Sequence, residues 1–264
     1  MRRDRRRGGG WVDLLRYRDL LLNLVAAELR AKYRGSALGF LWSLLNPLAL
    51  IVIYSIAFRS IIRIPIERFP VFLIAGVLPW TFFSSSAMAA TVSLMVNASL
   101  LKKVRFPREI IPASVVLFHL VQKVLALVVF LPSLVVLAGH LPWTLVFYPL
   151  VLGLQVVFVM GVAMALSVLT VAFRDLRHLT EVALTMLFWL TPIVYRTDMV
   201  PATLRPIFAA NPMTSFVSAF QDITYWGRPP DPGTVLAMAG WAGASLVIGH
   251  AMFRHRAAYV AEDL

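Results

Sequence analysis

Hydrophobic positions along this chain do not alternate with polar ones; they gather into long runs. A helix needs about 20 apolar residues to cross a hydrocarbon core of roughly 30 Å. Five runs are that long: Ala37–Phe58, Val71–Val96, Ile110–Leu137, Trp143–Phe173 and Thr234–Phe253. A sixth, Leu179–Tyr195, is shorter and carries Glu181 near its start. After it, Pro201 to Phe220 is apolar in patches and is broken by Pro201, Pro206 and Pro212. Broken backbone is tolerated at membrane depth only where protein buries it, so this stretch predicts a re-entrant hairpin dipping into the outer leaflet. Ahead of the first run, Asp13 to Arg34 has a different period. At about 100° per residue, Arg16, Asp19, Asn23, Arg30 and Arg34 form a polar stripe. Leu14, Leu21, Leu22, Val25 and Leu29 lie opposite, interrupted by Arg18, Glu28 and Lys32. That pattern predicts an interfacial helix on the inner leaflet, with the stray basic side chains snorkelling to headgroups. The expected fold is all-α and polytopic, one transmembrane domain over 1–264. It has a disordered basic tail (1–12), an N-terminal interfacial amphipathic helix (13–34), six transmembrane helices within 37–253 with a re-entrant hairpin between spans five and six, and a cytosolic tail (254–264).

Composition agrees with the runs. Of 264 residues, 59% are hydrophobic and 14% charged, and the mean hydropathy is +0.78; a soluble domain would carry about a quarter charged residues. No cleavable signal peptide is expected, because no apolar run with a small-residue cleavage site directly follows the N-terminal Arg cluster. The net charge of +12 invites a nucleic-acid reading, but the topology absorbs it. With the N-terminus inside, cytosolic segments hold 18 Lys and Arg, extracytosolic segments hold six, and Lys123 lies within a span. This is the positive-inside bias, and it puts both termini in the cytosol. There is no cysteine, hence no disulfide and no thiolate chemistry.

Candidate chemistry is sparse. No Asp or Glu falls in the interior of a span, whereas proton-coupled carriers usually need an ionisable relay at depth. The chain has no P-loop, no His-Glu-x-x-His, no Gly-x-Ser-x-Gly and no clustered acids for a metal. A secondary carrier is therefore disfavoured. A membrane glycosyl- or phospho-transferase has only Asp175 and Glu181 to offer. One segment stands out: Asn97 to Pro112 is too polar to span and too apolar for a plain linker. Leu100, Leu101, Val104 and Phe106 give it an apolar face beside Lys102, Lys103, Arg105 and Arg108. It is either a positive-inside anchor or a surface for a soluble partner, such as a separate ATPase driving a channel. His119, Gln122 and Lys123 share one face of the third span, either as a structural cluster or as channel lining. Arg174-Asp175 reads as a solvated turn with a local ion pair. Gly35 and Gly39 form a small-xxx-small pair, suited to close helix packing or to breaking the helix.

At these residues the chain resembles the permease subunits of type-2 ABC exporters that move lipid-linked polysaccharides, the O-antigen and teichoic-acid exporters. The matching pieces run in order. They are Lys32-Tyr33-Arg34-Gly35-Ser36 with Gly39, Trp42 and Pro47; Gly76-Val77-Leu78-Pro79-Trp80 with Phe82-Phe83; and Asn97 with Leu100, Phe106-Pro107-Arg108 and Pro112. Then follow Phe173-Arg174-Asp175-Leu176, Phe188-Trp189-Leu190-Thr191-Pro192-Ile193 and Asn211-Pro212. The resemblance implies a homodimer of the permease bound to two copies of a cytosolic ABC ATPase, which holds the ATP and Mg; no cofactor, metal or catalytic residue is expected in this chain. It implies an ATPase-coupling helix over Asn97, Leu100, Lys103, Val104, Phe106, Pro107 and Arg108, and a multi-pass location in the bacterial inner membrane. The substrate would be an undecaprenyl-type lipid-linked glycan. Arg16, Arg30, Lys32, Tyr33 and Arg34 are candidates to capture its pyrophosphate, or else simply sit among anionic headgroups. Trp42, Tyr54, Phe58, Phe188, Trp189 and Tyr195 are candidates for the glycan path, against the ordinary role of interface anchors. A permease for drugs or small lipids is the nearest alternative.

Overall fold

The computed structural model of the chain describes residues 16–34, 41, 45, 48–49, 52–53, 56–57, 66–104, 106–139 and 141–257. All regular structure among them is helical. Helix α1 (Arg18–Tyr33) is followed by α2 (Phe69–Val96), the short α3 (Ala98–Lys103) and α4 (Ile110–Ala138). A 3-10 turn (Trp143–Phe147) leads into α5 (Tyr148–Ala172), then α6 (Leu176–Trp189), α7 (Arg205–Ala209) and α8 (Pro212–Gln221). A π turn (Asp222–Trp226) precedes α9 (Pro232–Ala257).

Four stretches are long and apolar enough to cross a membrane: Phe69–Val96, Ile110–Pro132, Trp143–Ala172 and Pro232–Arg256. They coincide with the second, third, fourth and last apolar runs. The first run, including Trp42, Tyr54 and Phe58, lies mostly outside the described residues, as do Gly35 and Gly39. The described apolar positions within it, Leu41, Leu45, Leu48, Val52, Ile53 and Ile56, are exposed.

The expected fifth span is half built. Its helix α6 has 14 residues, about 21 Å at 1.5 Å per residue, short of the hydrocarbon thickness. The reason is local. Pro192 has no N–H to give and biases Thr191 away from the helical region. The chain from Pro201 to Phe220 forms α7 and α8, separated at Asn211-Pro212. Helix α8 is packed against α2, α5 and α9 and buries Met213, Phe216, Val217, Ala219, Phe220 and Gln221.

Helix α2 is the centre of the molecule, in contact with α4, α5, α6 and α8. The tightest pair is α5 with α9. A Cβ on Gly249 would stand 2.0 Å from the Gly161 carbonyl oxygen, so neither position admits a side chain. The Ser245 hydroxyl donates to the Phe158 carbonyl at 3.0 Å across the same seam. Small residues allow this backbone approach, and an interhelical hydrogen bond reinforces it. Helix α1 lies along α4, with Val25 buried and Leu21 and Leu29 half-buried; Arg16, Asp19, Asn23, Arg30 and Arg34 are exposed as its period predicts, but so is Leu22 of the expected apolar face.

Candidate functional site

Six sequence pieces had stood out, and three of them meet at one junction. Gly76 on α2 lies against the turn after α6: a Cβ there would be 3.2 Å from both Ile193 Cα and Gln221 Nε2. Gln221 Nε2 donates to the Pro192 carbonyl at 2.9 Å. Asn211 Nδ2 donates to Thr191 Oγ1 at 2.8 Å, while its Oδ1 accepts from the Met213 amide at 3.0 Å and so caps α8. Thr191, Ile193, Asn211 and Gln221 are all buried. The carbonyls of Leu190 and Pro192, where α6 breaks, thus accept from the side-chain amides of Asn211, at 3.3 Å, and Gln221. A broken helix in a dry interior requires such partners.

From this junction α6 descends beside α2, and the two enclose a groove of about 510 Å³. Trp80, Thr81, Ser84, Ser85 and Met88 line it from α2; Glu181, Thr185, Phe188 and Trp189 line it from α6. Phe188 meets Trp80 edge-on at 5.6 Å and Trp189 at 5.3 Å. The hydroxyls of Thr81 and Thr185 donate to carbonyls of their own helices, which leaves oxygen lone pairs as acceptors. The groove therefore offers aromatic faces, hydroxyl oxygens and one carboxylate. Of the proposed path residues, Phe188 and Trp189 line it. Tyr195 sits beyond its end, with its hydroxyl donating to the Trp189 carbonyl at 2.5 Å. Sequence reasoning missed the α2 wall. Thr81, Ser84 and Ser85, three and four residues apart within an apolar helix, are the signal that marks it.

The 97–112 segment folds as a hook under α2. Asn97 closes α2: its Nδ2 donates to the Ser93 carbonyl at 2.9 Å. Leu101 and Phe106 turn inward onto Leu94, Ile111, Met164, Val168 and Phe253. Pro107 and Arg108 start α4, their carbonyls accepting from the Ile110 and Ile111 amides. What faces outward is Val96 (74% exposed), Lys102, Lys103 and Val104 (48%); Leu100 is half-buried and Arg105 lies outside the described residues.

One open sequence reading narrows and one needs correction. His119, Gln122 and Lys123 do not act as one cluster. Lys32 Nζ donates to Gln122 Oε1 at 3.0 Å, tying α1 to α4. Lys123, one 100° step further round, points the other way and is 4% exposed. Its Nζ donates to Gln155 Oε1 at 2.7 Å and lies 4.0 Å from the centre of the Phe220 ring. Gln155 Nε2 in turn donates to the Pro79 carbonyl at 2.8 Å. This is a packed cross-brace of α2, α4, α5 and α8, not channel lining. Arg174 and Asp175 are both exposed and no ion pair joins them; Arg256 from α9 instead approaches the Phe173 ring at 5.8 Å.

Known proteins decide what this arrangement belongs to. Residues 19–225 match the family described as ABC-2 type transporter. The chain belongs to the ABC-2 type transporter family. The O-antigen export system permease protein RfbA of Myxococcus xanthus is 36% identical over 258 residues, 96% of this chain and 98% of that one. The protein of that name from Klebsiella pneumoniae is 36% identical over 214 residues, 78% of this chain and 80% of that one. The polysialic acid transport protein KpsM of Escherichia coli is 24% identical over 240 residues, 88% of this chain and 92% of that one. This ABC-2 chain is a multi-pass membrane protein and a transporter subunit. Arg16, Arg30, Lys32 and Arg34 are exposed along α1, consistent with a face turned to headgroups or to a charged lipid; Lys32 is also engaged with Gln122.

Proposed function

We propose that the chain is the membrane-spanning subunit of an ATP-driven exporter that carries a lipid-linked polysaccharide, of O-antigen type, across the bacterial inner membrane. The observation that carries the reading is the α2–α6 groove. Its aromatic rings can pack on sugar faces and its hydroxyl oxygens can accept from sugar hydroxyls, in a chain 36% identical to O-antigen export permeases. Glu181 and the hydroxyls in the groove are costly to turn toward lipid, so a second copy of the chain closes it. The first apolar run and α6, continued by the turn to α8, complete six spans with both termini cytosolic. Two copies of a separate ATPase bind ATP and Mg and dock on Val96, Lys102, Lys103 and Val104. The lipid pyrophosphate is gathered by Arg30 and Arg34 at the inner leaflet, since guanidinium suits phosphate oxygens.

Deletion and complementation in the native strain test this. Without the chain, surface polysaccharide should vanish and the lipid-linked polymer should build up inside. Ser84→Leu with Thr185→Leu, which fills the groove without touching the helix ladder, should lower surface polymer at least tenfold while the protein still inserts. Arg30→Gln with Arg34→Gln should lower export with little change in basal ATPase activity. Normal surface polymer in the deletion strain would refute the assignment.

A further inference from the structure

A second cavity, of about 540 Å³, lies at the far end of α2 from the 97–112 hook, next to Phe72. It is built around Trp226 and five charged positions that the groove does not use. Asp222 is 8% exposed and its Oδ1 accepts from Arg228 Nε at 2.8 Å and Nη2 at 2.7 Å. The Arg228 amide also donates to the Asp222 carbonyl at 3.0 Å, a closure made possible by Gly227 at φ +63°. Arg196 pairs with Asp198, and both guanidiniums stand against the Trp226 ring, at 5.2 and 5.7 Å. Asp231 completes the wall while its Oδ2 accepts from the Thr234 amide at the start of α9. Frame contacts hold the rim: the Thr144 hydroxyl donates to the Ile223 carbonyl at 2.6 Å, and the Tyr225 hydroxyl to the Glu67 carbonyl at 2.6 Å.

The contents specify a ligand class. Two guanidiniums face three carboxylates, a balance of one negative charge, which rejects a phosphate or an acidic sugar. Burial pushes the Asp222 carboxyl up while Arg228 beside it pulls it down, so the site does not favour a further buried negative charge. No cluster of His, Asp or Glu suited to a metal occurs among the described residues, so the cavity does not present a metal site. Paired Asp and Arg groups remain able to accept from and donate to vicinal hydroxyls, beside an aromatic edge that packs on an apolar ring face. The volume lies in the usual range for small-molecule pockets, about 300–1,000 Å³.

We infer that this cavity is an uncharged-saccharide subsite that holds a stretch of the sugar chain at the extracytosolic mouth of the groove. The inference rests on the polysaccharide reading above. It adds a second contact after Trp189: Tyr195, bound to the Trp189 carbonyl, is followed directly by Arg196 on the cavity wall. A leaving chain held here has less tendency to slide back.

The test uses the permease with its ATPase in lipid nanodiscs. The probe is polysaccharide released by mild acid from the strain's own lipid-linked intermediate, observed by saturation-transfer NMR. Transfer to ring protons should be clear with the wild type and at least fivefold weaker with Trp226→Ala and with Asp198→Asn, a rim residue whose change spares the buried Asp222 pair. A sialic acid oligomer should neither bind nor compete. Undiminished transfer in both variants, or competition by the sialic acid oligomer, would overturn the subsite. Surface polymer made by the same variant strains separates the two ideas. Wild-type binding signals in the variants alongside normal export remove the subsite and leave the export assignment standing. Normal surface polymer in the strain lacking the chain removes the export assignment itself.

Discussion

Lys123 is the residue whose surroundings are most demanding. A buried amino group needs its hydrogen bond, and Gln155 supplies the acceptor at 2.7 Å with Phe82, Tyr148 and Phe220 around it. Leaving a buried donor unsatisfied costs roughly 1–3 kcal/mol. Gln155→Leu strands the amino group and is expected to lower the melting temperature of the purified protein clearly. Lys123→Met keeps the volume and removes the donor, so it should cost less, and Lys123→Met with Gln155→Leu should recover part of the loss. A single loss identical in all three variants would show that the pair carries no coupling. The sequence did reveal that position 123 is costly to leave in lipid. It did not reveal the direction of the side chain. One step of about 100° separates Gln122, facing α1, from Lys123, facing the core, and only the packing of α1 says where the boundary falls.

At the scale of elements, the 97–112 hook divides its apolar residues between two surfaces. Phe106 belongs to the protein's own interior; Val96 and Val104 are exposed and, in the function proposed above, meet the ATPase. Phe106→Ala should therefore destabilise the chain itself, by about 2 kcal/mol for a partly buried ring, seen as a lower melting temperature before any partner is added. Val104→Asp should leave that temperature unchanged and release the ATPase during co-purification. The reverse pattern would exchange the two roles. The sequence shows one apolar face beside basic residues, and the two surfaces read alike in it because each is apolar. The four long spans were legible to within a few residues, since length and continuity of the apolar run suffice. Helix α6 was not, because its end is set by Pro192 and by amides arriving from Asn211 and Gln221, some twenty and thirty residues on.

For the whole molecule, topology and helix packing are separately testable. Single cysteines at Ser99 and Thr203, in a chain with none of its own, should label from opposite sides of the membrane with an impermeant reagent. Labelling from one side only would dismantle the six-span arrangement. Gly249→Ala forces a methyl into the Gly161 backbone; overpacking of this kind costs roughly 1–3 kcal/mol or more. It should yield aggregated protein by size exclusion, whereas Gly240→Ala, with open space around it, should behave as the wild type. The Gly161–Gly249 contact was hidden from the sequence because it joins helices far apart in the chain. The α2 side of the groove was open to view in Thr81, Ser84 and Ser85.

The seam between Gly161 and Gly249 also decides which parts can shift. With backbone against backbone and no side chain to rearrange, α5 and α9 have nothing to slide on, and they stand as a single mast. Helix α6 is rigged to that mast differently. It buries only Thr180 and Leu184 along its length and is moored at one end, where Asn211 and Gln221 grip the turn after it. A boom hinged at the top swings widest at the bottom. On the topology proposed above that end faces the cytosol, so a groove that opens there first would load from inside.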